Sequence, residues 1–218
     1  MSNEISFWIS LIQVSHSDKK RVFRYLLHKL IWQAFPGYPE GTTQPFLFSI
    51  TDNADANGIY CYVQSSAKPD WTMPMQIDRK KSIQINLVYG VKSISFPIEI
   101  NEKFAFNLQA CPTKNVFQGY KKRGIKTPIT KHQDIDKWFM RKSELQGFRV
   151  LQYEVFNQRT LVRKEEYPNA NEVSLASCQF NGILEIRDTE KFKKTISSGI
   201  GPKKIFGFGM MKLTQCLV

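Results

Sequence analysis

An α+β protein of two tandem ferredoxin-like (RRM-like) βαββαβ domains is the fold class this sequence predicts, and three observations predict it. The order strand, helix, strand, strand, helix, strand is written twice along the chain. Its 218 residues suffice for two small domains of roughly 100 residues each. Hydrophobic residues are 42% of the chain, enough for a core in each half and too many for a disordered polymer. The predicted domains are residues 1–98 and 99–218, joined near 91–101.

Residues 5–14 alternate polar and apolar side chains, as a half-buried strand does. Val22, Phe23, Leu26, Leu27, Leu30, Ile31 and Ala34 then recur at helical spacing, with Ser17 placed to cap the helix and Pro36-Gly37 to stop it. Residues 46–51 and 59–65 form a hairpin around the turn-rich DNADANG. The segment after it is irregular or a weak second helix, and 82–90 is a strand. In the second unit 103–110 is a strand, and a helix follows Thr130. Strands follow at 148–156 and 173–187, with Asn181-Gly182 marking a bend or bulge. DTEKFKKTISS is a helix closed by Gly199, and 206–217 is the last strand.

Charge narrows the function. Lys and Arg number 31 against 19 Asp and Glu, a formal +12, and such an excess attracts polyanions, either nucleic acid or an anionic membrane surface. The four cysteines form no CxxC pair and the three histidines show no ligand spacing, so neither a metal nor another cofactor is expected. Scattered reduced thiols suit a cytoplasmic protein. The N-terminus lacks the basic start and long apolar run of a signal peptide, and no segment approaches the ~18 apolar residues of a membrane helix. A membrane-surface protein would need a basic amphipathic helix with an exposed apolar face, which is lacking, so no membrane partner is expected.

The cations cluster. Lys121, Lys122, Arg123 and Lys126 surround a glycine between the first strand and first helix of the second unit. Arg159, Arg163 and Lys164 lie in a polar hairpin that suits an RNA groove as well as it suits a plain surface ribbon. In SGIGPKKIFGFG, glycines including Gly201 and Gly207 flank Lys203 and Lys204. This is no Walker loop, since GxxxxGK[ST] is absent, and it follows a helix, where a dinucleotide fingerprint precedes one. Glycines that expose backbone N–H groups beside lysines suit contact with a phosphate backbone.

One face of the first helix is unusual. Opposite its apolar stripe project Arg21, Tyr25, His28 and Trp32, with Lys29 at the flank. Histidine moves protons near neutral pH, and a tyrosine one turn away positions or exchanges a proton on a hydroxyl. Such a set fits cleavage of RNA by its own 2′-hydroxyl.

These residues give the chain its resemblance to the CasE family, the endoribonucleases that process CRISPR precursor RNA within type I-E Cascade. The resemblance spans nearly the whole chain: YLLH in the first helix, PDW at 69–71, a basic loop leading to KTP at 126–128, DKWFMRK, then GIGPKKIFGFGMM. The closing motif is the specific one; YxxH alone is weak. The resemblance implies metal-independent cutting at the base of a repeat hairpin, giving a 5′-hydroxyl and a 2′,3′-cyclic phosphate. It also implies retention of the mature crRNA and assembly with other Cascade subunits. The family's catalytic histidine falls on His28 and its helical tyrosine on Tyr25. Basic or polar residues that some members carry further along this helix meet Gln33 and Ala34 here, so support for the phosphate falls to Lys29 or the glycine-rich loop. The alternative is a hairpin-binding module of the same fold without chemistry.

Overall fold

The computed structural model describes residues 4–16, 24–39, 42–51, 59–72, 83–117, 119, 124–162 and 173–216. The first unit contains β1 (Glu4–His16), α1 (Arg24–Gln33), β2 (Phe46–Ile50), β3 (Ile59–Ser65) and β4 (Ile83–Pro97). They form an antiparallel sheet in the order β2-β3-β1-β4. The second unit has β5 (Lys103–Ala110), β6 (Thr113–Val116), β7 (Ile125–Pro128), α2 (His132–Leu145), β8 (Phe148–Val162), β9 (Val173–Ile186), α3 (Thr189–Ser198) and β10 (Met211–Gln215). Its sheet runs β10-β5-β9-β8, the same order with β6 and β7 added as a small hairpin. In both sheets the first strand of the unit lies inside, between its third and fourth, as a βαββαβ unit requires. Two tandem ferredoxin-like domains are thus the observed architecture.

Each half buries its own apolar faces. Leu26, Leu27, Leu30 and Ile31 of α1 pack on Ile12, Val14, Phe48 and Val63 of the first sheet. In the second half, Trp138 and Phe139 of α2 meet Phe180 of β9, the Phe139 and Phe180 rings stacking at 4.3 Å. The halves also share core: Ile5 and Ile98, from the ends of the first unit, are buried in the second cluster, and Gln64 Nε2 donates to the Ile196 carbonyl at 2.8 Å. The Pro69-Asp70-Trp71 segment closes α1. The Asp70 N–H donates to the Ala34 carbonyl at 2.8 Å, and the Trp71 indole donates to Ser10 Oγ at 3.0 Å.

Several expectations change. β4 continues to Pro97, seven residues past the expected end, because Ile94 and Phe96 restore an apolar alternation beyond the bulges opposite Ile9–Ile12. The β6–β7 hairpin was not expected, since Thr113–Val116 is short and mostly exposed and carries no apolar pattern. Residues 204–206, expected partly as strand, form a single 3-10 turn, because the backbone is left-handed on both sides, at Lys203 and Gly207. The bulge expected near Gly182 lies across the ladder: β8 carries the extra residue Leu151. A Cβ at Gly182 would come within 2.1 Å of the Gln152 carbonyl oxygen, so glycine is needed there. The Ser17 cap and residues 73–75 lie outside the described residues, while 68–72 are irregular and form no second helix. Among the described residues no helix is long and apolar enough to cross a membrane.

Candidate active site

Three segments meet beside α1: the helix itself, the 3-10 turn of the glycine-rich segment, and the chain entering β2. Arg24 ties the first two together. Its guanidinium donates to the Phe206 carbonyl at 2.9 Å and to Gln109 Oε1 at 3.3 Å, and its carbon lies 4.8 Å from the Phe208 ring centroid. The turn is also pinned between the two halves of the molecule, with Gly201 against the Trp138 ring and Gly207 against Phe48. Phe206 and Phe208 join Cys111 and Val162 in a small satellite core, on which Tyr25 packs.

Tyr25 and His28 stand one turn apart, their rings 6.1 Å between centroids and inclined by only 14°. Tyr25 lies 6.2 Å from Phe206, while His28 lies 5.6 Å from Phe46 and 5.7 Å from Trp32. The aromatic face of α1 is therefore half-buried against Phe206 and Phe46. Aromatic pairs of this kind are worth about 0.5–1.5 kcal/mol each, so the row also helps seat the helix. Lys29 Nζ lies 5.1 Å from the Tyr25 ring centroid, placing a cation beside the pair. On its other side His28 meets Gln44, whose Oε1 is 3.1 Å from Nε2. Arg21 lies outside the described residues.

The glycine-rich turn carries charge to a second region. Lys203 is exposed and left-handed at φ 70°. Lys204 lines a cleft of about 750 Å³ between the β6–β7 hairpin, α2 and the turn, together with Lys114, Lys126, Arg141 and Lys142. No carboxylate among the described residues lines it. Burial, followed by the charges of Lys142 and Lys126, holds the Lys204 ammonium below the ordinary lysine range. Five cations without a counter-charge are an unfavourable arrangement until a polyanion enters.

Of the expected contacts, Lys126 and Lys204 come together in this cleft, and Gly201 lines it. Arg159 is exposed on β8 and does not line it. Lys121, Lys122, Arg123, Arg163 and Lys164 lie outside the described residues. Gly207 differs from the expectation of a phosphate-facing amide: it is buried, and its N–H already donates to the Lys204 carbonyl at 2.9 Å. Sequence reading missed Arg24, Gln44, Lys114, Arg141 and Lys142. Arg141 and Lys142 close the DKWFMRK run and were findable from it, whereas Gln44 carried no signal.

Other chemistry is poorly supplied. Burial pushes the Cys61 and Cys111 thiols up to about 12 and Cys178 to about 11, so none of these offers a thiolate near neutral pH. Among the described residues no group of three or more His, Cys, Asp or Glu converges as a metal site needs.

The chain is similar over nearly its full length to known proteins. The family model for CRISPR associated protein matches residues 7–215. The CRISPR system Cascade subunit CasE of Escherichia coli K12 is 24% identical over 196 residues, covering 87% of this chain and 90% of that protein. The CRISPR-associated endoribonuclease Cse3 of Thermus thermophilus is 25% identical over 198 residues, covering 87% and 89%. The solved structure of Thermus thermophilus Cse3 bound to an RNA representing a pre-cleavage complex superposes with a TM-score of 0.74 at 20% identity, covering 96% of this chain and 99% of that one.

Proposed function

The chain belongs to the family of CRISPR associated proteins, and we propose that it is a metal-independent endoribonuclease that cuts precursor crRNA at its repeat hairpin. It acts in the cytoplasm and stays with the product as a subunit of a type I-E Cascade. The name of the Thermus relative supports the activity, and that of the Escherichia coli relative supports the assembly.

The Tyr25–His28 pair carries the reading, because it adjoins the same 3-10 turn whose Lys204 enters the cationic cleft. The cleft and Lys203 hold the phosphates of the RNA stem, which leaves the strand at the base of the stem beside α1. There the 2′-oxygen attacks the adjacent phosphorus, the bond to the 5′-oxygen breaks, and a 2′,3′-cyclic phosphate and a 5′-hydroxyl result. One proton leaves the 2′-hydroxyl and one reaches the 5′-oxygen; His28 exchanges a proton in this step, and Tyr25 orients the reacting groups. Lys29 supports the charge that builds on the phosphate.

The test is a gel of the purified protein with its repeat RNA. Cleavage is expected with and without EDTA, and none is expected when the nucleotide 5′ of the scissile phosphate lacks its 2′-hydroxyl. Cutting of the deoxy substrate, or loss of cutting on chelation, would overturn the mechanism. Binding without cutting under every condition would make the chain a hairpin-binding module.

A further inference from the structure

We propose that Gln44 is a positioning residue that fixes the tautomer of His28, so that Nδ1 is the ring atom that exchanges a proton with the RNA. The inference rests on the ribonuclease reading and adds which nitrogen does the work. Pro45 restricts the residue before it to extended conformations, and the Pro45 carbonyl accepts from Ser66 N at 3.0 Å, so the chain leading into β2 is held in place. Gln44 Nε2 then donates to the Phe46 carbonyl at 2.6 Å. A carbonyl only accepts, so the amide nitrogen must face it and Oε1 must face His28, where it lies 3.1 Å from Nε2.

An amide oxygen also only accepts. Nε2 therefore carries hydrogen when the imidazole is neutral and keeps it when the ring is charged. The proton that comes and goes in the titration is the one on Nδ1. Phe46 and Trp32 flank the ring and Tyr25 stacks against it, which restrains its rotation away from Gln44. On the same helix Lys29 lies over the neighbouring Tyr25 ring and Arg24 bonds the Phe206 carbonyl and Gln109, while Gln44 brings a neutral dipole to the imidazole from the β2 side.

The experiment is nitrogen NMR of the full chain labelled with ¹⁵N-histidine, free of RNA, above the pH at which the imidazole loses its charge. The His28 signals are assigned by their loss in His28→Gln. The expected spectrum has Nε2 protonated and Nδ1 bare. Gln44→Leu is expected to give a mixture of tautomers and about tenfold slower single-turnover cleavage, with unchanged hairpin affinity. Gln44→Glu keeps an acceptor facing Nε2 and adds a negative charge. It is expected to preserve the tautomer and to move the histidine limb of the pH–rate profile upward by about one unit. A protonated Nδ1 in the wild type overturns the proposal. So does a Gln44→Leu protein with wild-type tautomer and rate, or a Gln44→Glu protein with an unmoved limb. The wild-type spectrum needs no cleavage, so its outcome is separate from failure of the ribonuclease reading, which would appear as a wild-type protein that does not cut.

Discussion

Replacing Gly207 with alanine separates a packing role from a phosphate-binding one. The position has φ 76°, a left-handed backbone that costs a residue with a Cβ about 1–2 kcal/mol. The new carbon would stand 2.6 Å from Cε2, 3.0 Å from Cδ2 and 3.2 Å from Cζ of Phe48. Phe48 is only 1% exposed, so its ring has no space into which to swing, and such overpacking costs roughly 1–3 kcal/mol. Together these give about 3 kcal/mol, which lowers Tm by roughly 6–12 °C in a chain of this size. Gly37→Ala is the control: it is exposed, with nothing within 4 Å of the added carbon, and its Tm should stay within about 2 °C of the wild type. The assay is thermal unfolding by circular dichroism, with hairpin binding measured in parallel. An unchanged Tm with weakened binding in Gly207→Ala would refute the packing argument and restore Gly207 as a direct phosphate contact.

Arg24→Ala removes two hydrogen bonds and the cation over Phe208, and should cost about 2 kcal/mol, a fall in Tm of roughly 4–8 °C. Arg24→Lys should recover little, because an ammonium lacks the planar fork that spans both acceptors. A thermal melt checks both. Lys142→Gln tests the cationic cleft. The folded-state pKa of Lys204 lies below its usual 10.5, so its proton is disfavoured by folding, and stability rises as pH climbs through the lowered value toward 10.5. Removing the Lys142 charge should raise the Lys204 pKa and flatten that rise, leaving the free protein no less stable at low salt. The same variant should bind the hairpin more weakly, with a log–log salt slope shallower by roughly one. Melts across pH and binding titrations across salt read the two effects.

Local patterns in the sequence carry much of this fold. The apolar spacing of Leu26, Leu27, Leu30 and Ile31 and the alternation of Phe104, Phe106 and Leu108 depend on neighbours a few residues away, so α1 and β5 are legible without tertiary information. β4 is harder, since Gly90 and the bulges break the alternation midway. The 3-10 turn is harder still, because its shape is set by Trp138 and Phe48, which lie far away in sequence. The candidate site divides in the same way. Tyr25 and His28 share a helical face and can be paired from spacing alone. Arg24 reads as an ordinary surface arginine until Phe206 and Gln109, 182 and 85 residues distant, are brought to it. Gln44 has no pattern at all, being one polar residue before a proline. Conversely, the glycines flanking Lys203 and Lys204 suggest phosphate contact from sequence, and only the fold shows that Gly207 faces an aromatic ring.

The most direct test of the central claim compares cleavage and binding of the repeat hairpin by wild type and His28→Ala under single-turnover conditions. His28 is half-buried against Phe46 and Trp32, so a melt of the variant accompanies the assay to confirm that it is folded. A group that moves a proton in the reaction contributes about 10²–10⁴-fold to the rate, and the proposed phosphate contacts lie elsewhere, at the lysines of the cleft. The predicted result is a folded His28→Ala protein that binds the hairpin with near-normal affinity and cuts it at least about a hundredfold more slowly. A folded variant that cuts at the wild-type rate would contradict the account.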